Sequence, residues 1–497
     1  MFIYINKGGI INMQDKSKVI FGNVISDKDY NKAVKSKKKY AKKFGDDSDV
    51  SYNTIVKKND RIGDSLGVYD ILLQDGESEV PFDTEKGIIV GNIRMGFGHY
   101  RISMAMASAA KSMGYTPYWM DLNGYPQTTC TKIISAQNDL YSLGSRLSKN
   151  PLFNKFWEWM NYEGFRALSY NSADQKNAEL MATVYKNVPK DIPVIGTHVW
   201  PAQAAIHAGM KYVVNAIPDN WPMALHFAEG SVHTIQCKNA YMGYRILNGM
   251  NKDKVCNPMP ADDLVYTGHY IDHELVSNIK ADCDARIARK AEGKPMRFLL
   301  TIGGAGAQRE IFEAIIKHLI PSIKAGKAAL YVNVGDYKGV WDYLLQQIPE
   351  MKELSTEHFN EFDASSKFAE DALTGDVEGI HGFYHENIFE AVYITNLLMR
   401  SADVLATKPS ELAFYPVPKL FIPRVGKHEM WGAIHSAEVG DGTLECRDIP
   451  HVIHMIDIFM QTDLLNEMCE NINTNNSVGL YNGAYKVVEL AMGLKNK

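Results

Sequence analysis

One arrangement limits the fold of this 497-residue chain more than any other: the same supersecondary opening occurs twice. Gly87-Ile88-Ile89-Val90 is a continuous apolar run, followed by Gly96-Phe97-Gly98 and then by the small, apolar stretch ISMAMASAAKSMG (102–114). About 210 residues later, RFLLTI (297–302) leads into the glycine-rich GGAGAQ (303–308) and the amphipathic REIFEAIIKHLIPSI (309–323). An apolar run without alternation predicts a strand buried on both faces, and a helical period after it predicts a helix that covers one of those faces. Each opening is followed by a further strand, TPYWMDL (116–122) or AALYVNVG (328–335), so each is a βαβ unit and requires a parallel sheet.

Further strands are expected at 192–198, 211–217, 232–237, 403–407 and 418–423, with a helix at PAQAAIHAG between the first two. The pattern predicts an α/β chain of two tandem Rossmann-like, doubly wound domains with an interdomain cleft, the default place for a ligand. The expected boundaries are a polar, lysine-rich N-terminal extension over 1–85, a first Rossmann-like domain over 86–275 on the acceptor side, and a charged, helix-prone linker over 276–294. A second Rossmann-like, nucleotide-sugar domain follows over 295–475, then a terminal helix over 476–497. Residues 351–380 are acidic and weakly patterned and read as a surface excursion.

Charge and cysteine content exclude several classes. A formal net charge of −5 argues against a general nucleic-acid binder. No apolar stretch approaches the roughly 18–20 residues that span a bilayer. The N-terminus MFIYINKGG has no charged region before an apolar core and does not read as a signal peptide; Met13 is an alternative start. The six cysteines form no CxxC pair, which points to reduced thiols in a cytoplasmic protein and to no metal site. KAVKSKKKYAKK (32–43) carries seven lysines and reads either as a solvated helix face or as a patch for anionic lipid, so contact with the inner face of a membrane stays open.

The glycine loops carry the chemistry. A glycine turn between strand and helix aims free backbone N–H groups and the positive end of the helix dipole at one point, which suits a diphosphate. Gly303, Gly304 and Gly306 fit that role, with Gln308 and Arg309 opening the helix. The first loop fails the dinucleotide fingerprint, because the third glycine of G-x-G-x-x-G would fall at Arg101. A dinucleotide-dependent oxidoreductase is therefore the weaker alternative, and bound flavin or nicotinamide would reveal it. His99 follows Gly96 and Gly98 where a helix begins; the dipole there disfavours imidazolium and leaves a neutral ring able to accept a proton.

In their order these motifs resemble the GT-B glycosyltransferases, in particular the monogalactosyldiacylglycerol synthase and processive diacylglycerol glucosyltransferase family, with the peptidoglycan N-acetylglucosaminyltransferase as a more distant cousin. Gly96-Phe97-Gly98-His99 stands where that family has G-G-G-H. NAIPDNWP (215–222), with Asp219, stands where it has V-T-D. YTGHYI (266–271) resembles the segment closing its first domain, TIGGAGAQ (301–308) the loop opening its second, and SADVLATKPSELAFYPVPKLFIPRVGKHE (401–429) its T-K-P…E…P block. The resemblance implies that Glu411 binds the ribose diol of a nucleotide sugar, that Gly382 and Phe383 read the base, and that His428 and Glu429 contact the donor sugar. It places His99 or Asp219 as the base, with His99 favoured. The chain departs from the pattern at Lys408-Pro409-Ser410-Glu411, which is about five residues shorter and lacks a glycine-rich turn, leaving Lys408 and Ser410 near the diphosphate.

The aromatic stretch 150–168, with Trp157 and Trp159, reads as an acceptor-side helix or as a core face. The expected function is transfer of a sugar from a nucleotide-sugar co-substrate, a UDP-sugar in the first instance, to an acceptor hydroxyl, lipids included, with inversion and without a metal or other cofactor. The alternatives within the same fold are a sugar-nucleotide epimerase or hydrolase, which needs no acceptor, and an inactive nucleotide-sugar-binding relative, which would bind without turnover.

Overall fold

The computed structural model describes residues 15–147, 151–252, 254–302 and 308–496. It divides into two compact units: Met1–Met95 with Ala109–Thr267 and Tyr485–Lys497, and Gly96–Ser108 with Gly268–Ala484.

The first unit begins with a two-stranded ribbon, β1 (Val19–Ile20) and β2 (Asn23–Val24). Its main sheet holds β3 (Thr54–Lys58), β4 (Tyr69–Leu73), β5 (Gly87–Asn92), β6 (Thr116–Asp121), β7 (Val194–Gly196), β8 (Val213–Ala216), β9 (Val232–Ile235) and β10 (Leu264–Tyr266). The order is β10-β9-β8-β7-β5-β6-β4-β3. Every neighbouring pair is parallel except β3–β4. All six residues of β5 are buried, as a central parallel strand requires. The order reverses direction between β5 and β7, the topological switch point of a doubly wound sheet.

Within 1–85, expected as an extension, the described residues 15–85 enter this unit instead. β3 and β4 lengthen the sheet, and the helix Asp27–Phe44 lies against the helix Leu168–Ala178. The consecutive Lys57 and Lys58 of TIVKK, an edge strand, hid it in the sequence.

The second unit's sheet holds β11 (Met296–Thr301), β12 (Ala328–Asn333), β13 (Ser355–Phe359), β14 (Gly379–Tyr384), β15 (Val404–Thr407) and β16 (Lys419–Phe421), ordered β13-β14-β12-β11-β15-β16 and parallel throughout. Its order reverses between β11 and β15, so the segment after β15, Lys408–Glu411, leaves the sheet at the switch point. Residues 351–380 supply the edge strand β13 and the helix Phe362–Asp371.

Residues 276–294, expected as a linker, are mostly the helix Ile279–Ala291. Arg286 on that helix is fully buried and donates to the carbonyls of Ala402 (2.7 Å) and Met399 (2.8 Å), which fastens the helix to the second unit. Burial of an arginine by backbone carbonyls leaves no trace in a charge pattern, which explains the different reading. Among the described residues no helix is long and apolar enough to cross a membrane.

Candidate functional site

The helix expected over 102–114 starts earlier, at Gly98, and runs to Ser112. Gly96 has φ +73°, a left-handed turn that glycine takes without strain, and Gly114 closes the far end at φ +82°. Gly98 is the point of closest approach. A Cβ built there would lie 3.2 Å from Glu411 Oε2 and 3.3 Å from its Cδ, so the carboxylate sits directly on the first turn of the helix. A negative group is favoured at a helix N-terminus.

Arg101, one turn along, completes the group. Its side chain is only 3% exposed, and its Nε lies 3.8 Å from Glu411 Oε1, an ion pair without a hydrogen bond. Nη1 donates to the Asn396 amide oxygen and, at 3.4 Å, to the Val392 carbonyl, both on the helix Ile388–Ser401. The guanidinium also stands over the Tyr415 ring at 5.9 Å. Tyr415 donates its hydroxyl to Asp272 at 2.9 Å. Asp272 is fully buried, and burial with the neighbouring Glu274 charge pushes its carboxyl up to about 7. Phe97 covers Gly335, where a Cβ would meet its ring at 2.7 Å.

His99 lies half-buried in this first turn, and its carbonyl accepts the Ser103 hydroxyl at 2.8 Å. The site therefore contains a carboxylate, 20% exposed and facing a helix N-terminus, a buried guanidinium 3.8 Å from it, and an imidazole one residue from the glycine contact. A carboxylate so placed can accept two hydroxyl hydrogens of a diol, and a neutral imidazole can take a proton.

The segment Lys408–Glu411 is a tight turn, in which the Ser410 amide donates to the Lys408 carbonyl at 2.8 Å before the short helical turn Glu411–Phe414. Lys408 pairs with Glu429. Glu429 Oε2 also accepts the amides of Val425 (2.8 Å) and Gly426 (3.0 Å), so this acid closes its own loop. Burial alone would raise its carboxyl; Lys408, His428 and the Gly426 amide more than offset that and hold it below the ordinary glutamate range. The His428 ring packs over Gly426, where a Cβ would meet Cε1 at 2.6 Å.

Gly382 and Phe383 lie inside β14, paired on both sides by β12 and β13. Gly382 is required by Trp341, whose ring would stand 2.4 Å from a Cβ, and the fully buried Phe383 ring stacks on His358 at 4.7 Å. Packing accounts for both residues. Gln308, with φ +67°, donates to the Pro423 carbonyl, and the Arg309 guanidinium covers the Tyr343 ring at 4.1 Å. Gly303, Gly304 and Gly306 fall outside the described residues.

Three expected residues belong to the first unit. Asp219 Oδ2 lies 3.1 Å from His226 Nε2, and the other ring nitrogen of His226 lies 2.6 Å from the Tyr244 hydroxyl, a relay of three side chains. Trp157 is buried in the helix Pro151–Tyr162, and Trp159 is 57% exposed on it. The sequence reading passed over Arg101, Asn396, Tyr415 and Asp272. Only Arg101 left a signal, as the residue standing where the third glycine of a dinucleotide fingerprint would fall.

Residues 19–246 match a family model described as a domain of unknown function, DUF6937, and residues 259–492 match a second, DUF6938. No curated protein matches the chain. Among solved structures, the chain is similar to the UDP-GlcNAc 2-epimerase from Neisseria meningitidis bound to UDP-GlcNAc, at 10% identity over 82% of this chain and 100% of that one, with a TM-score of 0.45. It is also similar to an α,α-trehalose-phosphate synthase (UDP-forming) from Burkholderia vietnamiensis, at 12% identity over 83% and 100% with a TM-score of 0.43. A glycosyltransferase from Rickettsia africae gives 12% over 82% and 98%, with a TM-score of 0.41.

Proposed function

We propose that the protein is a nucleotide-sugar-dependent glycosyltransferase whose donor is held by the second unit. The observation that carries this reading is the contact of Gly98 and Arg101 with Glu411. It joins two motifs, Gly96-Phe97-Gly98-His99 and Lys408-Pro409-Ser410-Glu411, that resemble one glycosyltransferase family and lie far apart in the chain. Glu411 takes the ribose diol, with the Arg101 guanidinium 3.8 Å behind it. His99 accepts the proton of the attacking hydroxyl. The leaving diphosphate docks at the N-terminus of the helix Arg309–Lys324, where backbone N–H groups and the helix dipole stabilise it. Asp219, engaged by His226, serves as a structural acid in this scheme rather than as the base.

The acceptor oxygen forms the new bond to the anomeric carbon, the bond to the diphosphate oxygen breaks, and the proton passes to His99. The test is release of nucleoside diphosphate with a panel of nucleotide sugars, with and without acceptor alcohols. Acceptor-dependent release that falls about 10²–10⁴-fold in a folded His99→Ala variant supports the reading. Release that ignores acceptors assigns a hydrolase or epimerase instead, and release unchanged by His99→Ala removes that residue from the mechanism.

A further inference from the structure

The lysine run at 32–43 has no part in the site described above, and its structure gives it a definite form. The helix Asp27–Phe44 turns one face inward: Ala33 is buried, Tyr40 packs on Phe44 with ring centroids 5.6 Å apart, and Lys37 reaches Glu179 at 2.6 Å. The opposite face exposes Lys28, Lys32, Lys35, Lys39 and Lys42, spaced by alternating steps of four and three residues, with Lys38 and Lys43 beside them. That spacing lays the ammonium groups in one stripe about 21 Å long. Lys32 pairs with Asp29, but among the described residues none of Lys35, Lys38, Lys39, Lys42 or Lys43 forms an ion pair. Such a stripe on a chain of net charge −5 is a local concentration of positive charge and not a consequence of overall composition.

The neighbouring helix Thr129–Leu147 adds a second element. The Gln137 amide donates to the Tyr40 hydroxyl, which ties the two helices together. Leu140 (64% exposed) and Leu143 (46% exposed) follow within the next two turns, large apolar side chains left in solvent on that neighbouring helix. Charge alone would suit any polyanion. Three features favour a lipid surface over a nucleic acid. The helix carries no arginine, the residue suited to bidentate phosphate and base contacts. Lysines act as point charges and suit a diffuse array of headgroups. The exposed leucines of the neighbouring helix supply the shallow apolar insertion that a bilayer rewards and a phosphate backbone does not.

We propose that the exposed face of the helix Asp27–Phe44, together with Leu140 and Leu143, docks the protein on membranes bearing anionic lipid. The inference is independent of the transferase reading, because binding is measured without turnover.

The test is cosedimentation of the full chain with vesicles of phosphatidylcholine alone, or with about 30% phosphatidylglycerol, at low and high salt. The expected result is binding to the anionic vesicles at least about tenfold above the neutral ones, lost at 0.5 M salt as Debye screening demands. At about fivefold per lysine, Lys35→Gln/Lys38→Gln/Lys39→Gln/Lys42→Gln lowers partitioning by about a hundredfold or more. Leu140→Gln/Leu143→Gln lowers it by about tenfold. These positions are exposed, so an unchanged melting temperature confirms folding in both variants. Equal binding to both vesicle types, or partitioning untouched by the fourfold variant, overturns the proposal. Tighter, salt-sensitive binding to a duplex oligonucleotide than to anionic vesicles overturns it in favour of a nucleic acid.

Discussion

Glu411→Gln separates the structural and recognition roles of the carboxylate, because it keeps the shape and removes the charge. At 3.8 Å from Arg101 Nε, the gross Coulomb term is about 4 kcal/mol at an effective dielectric of 20. Solvent reaches 20% of the Glu411 side chain, and Arg101 keeps its bonds to Asn396 and Val392, so the net loss of stability is discounted to about 1–2 kcal/mol. For a unit of this size that lowers the melting temperature by about 2–8 °C. Ligand recognition falls further. Two charge-assisted hydrogen bonds to a ribose diol are worth about 1.5–3 kcal/mol each, and glutamine retains only one neutral acceptor. The expected change is about 30- to 300-fold in Kd. Calorimetric titration of the parent and variant with a UDP-sugar that the parent binds reads this directly, with a thermal melt as the control. A variant that binds within about threefold of the parent refutes the diol assignment; a variant that fails to fold refutes the partial exposure on which the estimate rests.

Other perturbations follow from the same structure. Asp441 is fully buried, 2.8 Å from the equally buried Lys419, and accepts the Tyr481 hydroxyl at 2.8 Å. Asp441→Ala leaves an uncompensated buried ammonium and is expected to cost about 3–5 kcal/mol, measured by denaturant titration; a loss below about 1 kcal/mol contradicts the geometry. Gly382→Ala drives a methyl into the Trp341 ring and is expected to destabilise the second unit by about 1–3 kcal/mol while leaving residual nucleotide affinity near the parent value, since the residue serves packing. Asp272 binds its proton more tightly folded than unfolded, so between about pH 4 and about 7 the native state holds more protons and its stability falls as pH rises. Asp272→Asn flattens that slope in melts across the window, and an unchanged slope refutes the burial argument.

Fully buried parallel strands were the most legible part of the sequence. β5, β6, β11 and β12 read as continuous apolar runs because helices cover both faces of their sheets. β3 and β13 escaped because edge strands carry charge on the solvent side, and TIVKK and STEHF look like loop. The helical character of 276–294 was legible, but the fastening of the helix Ile279–Ala291 to the second unit was not, because its anchor, Arg286, is held by carbonyl oxygens from a distant segment. Within the candidate site, the two motifs that meet were both visible, but their contact was not. Gly98 and Glu411 are each ordinary in sequence, and only tertiary packing sets a carboxylate on that helix turn. Arg101 was visible only as a misfit to a dinucleotide fingerprint. At Gly382 the Trp341 ring, distant in sequence, by itself demands a glycine.

The most direct test of the central claim is titration of the full chain with UDP-sugars, read as heat of binding and as thermal stabilisation. The account predicts one saturable site that raises stability by about 2.7 kcal/mol at a hundred times Kd and is weakened in Glu411→Gln. Absence of heat and of stabilisation with every nucleotide sugar tried, or saturable binding indifferent to Glu411, would contradict it.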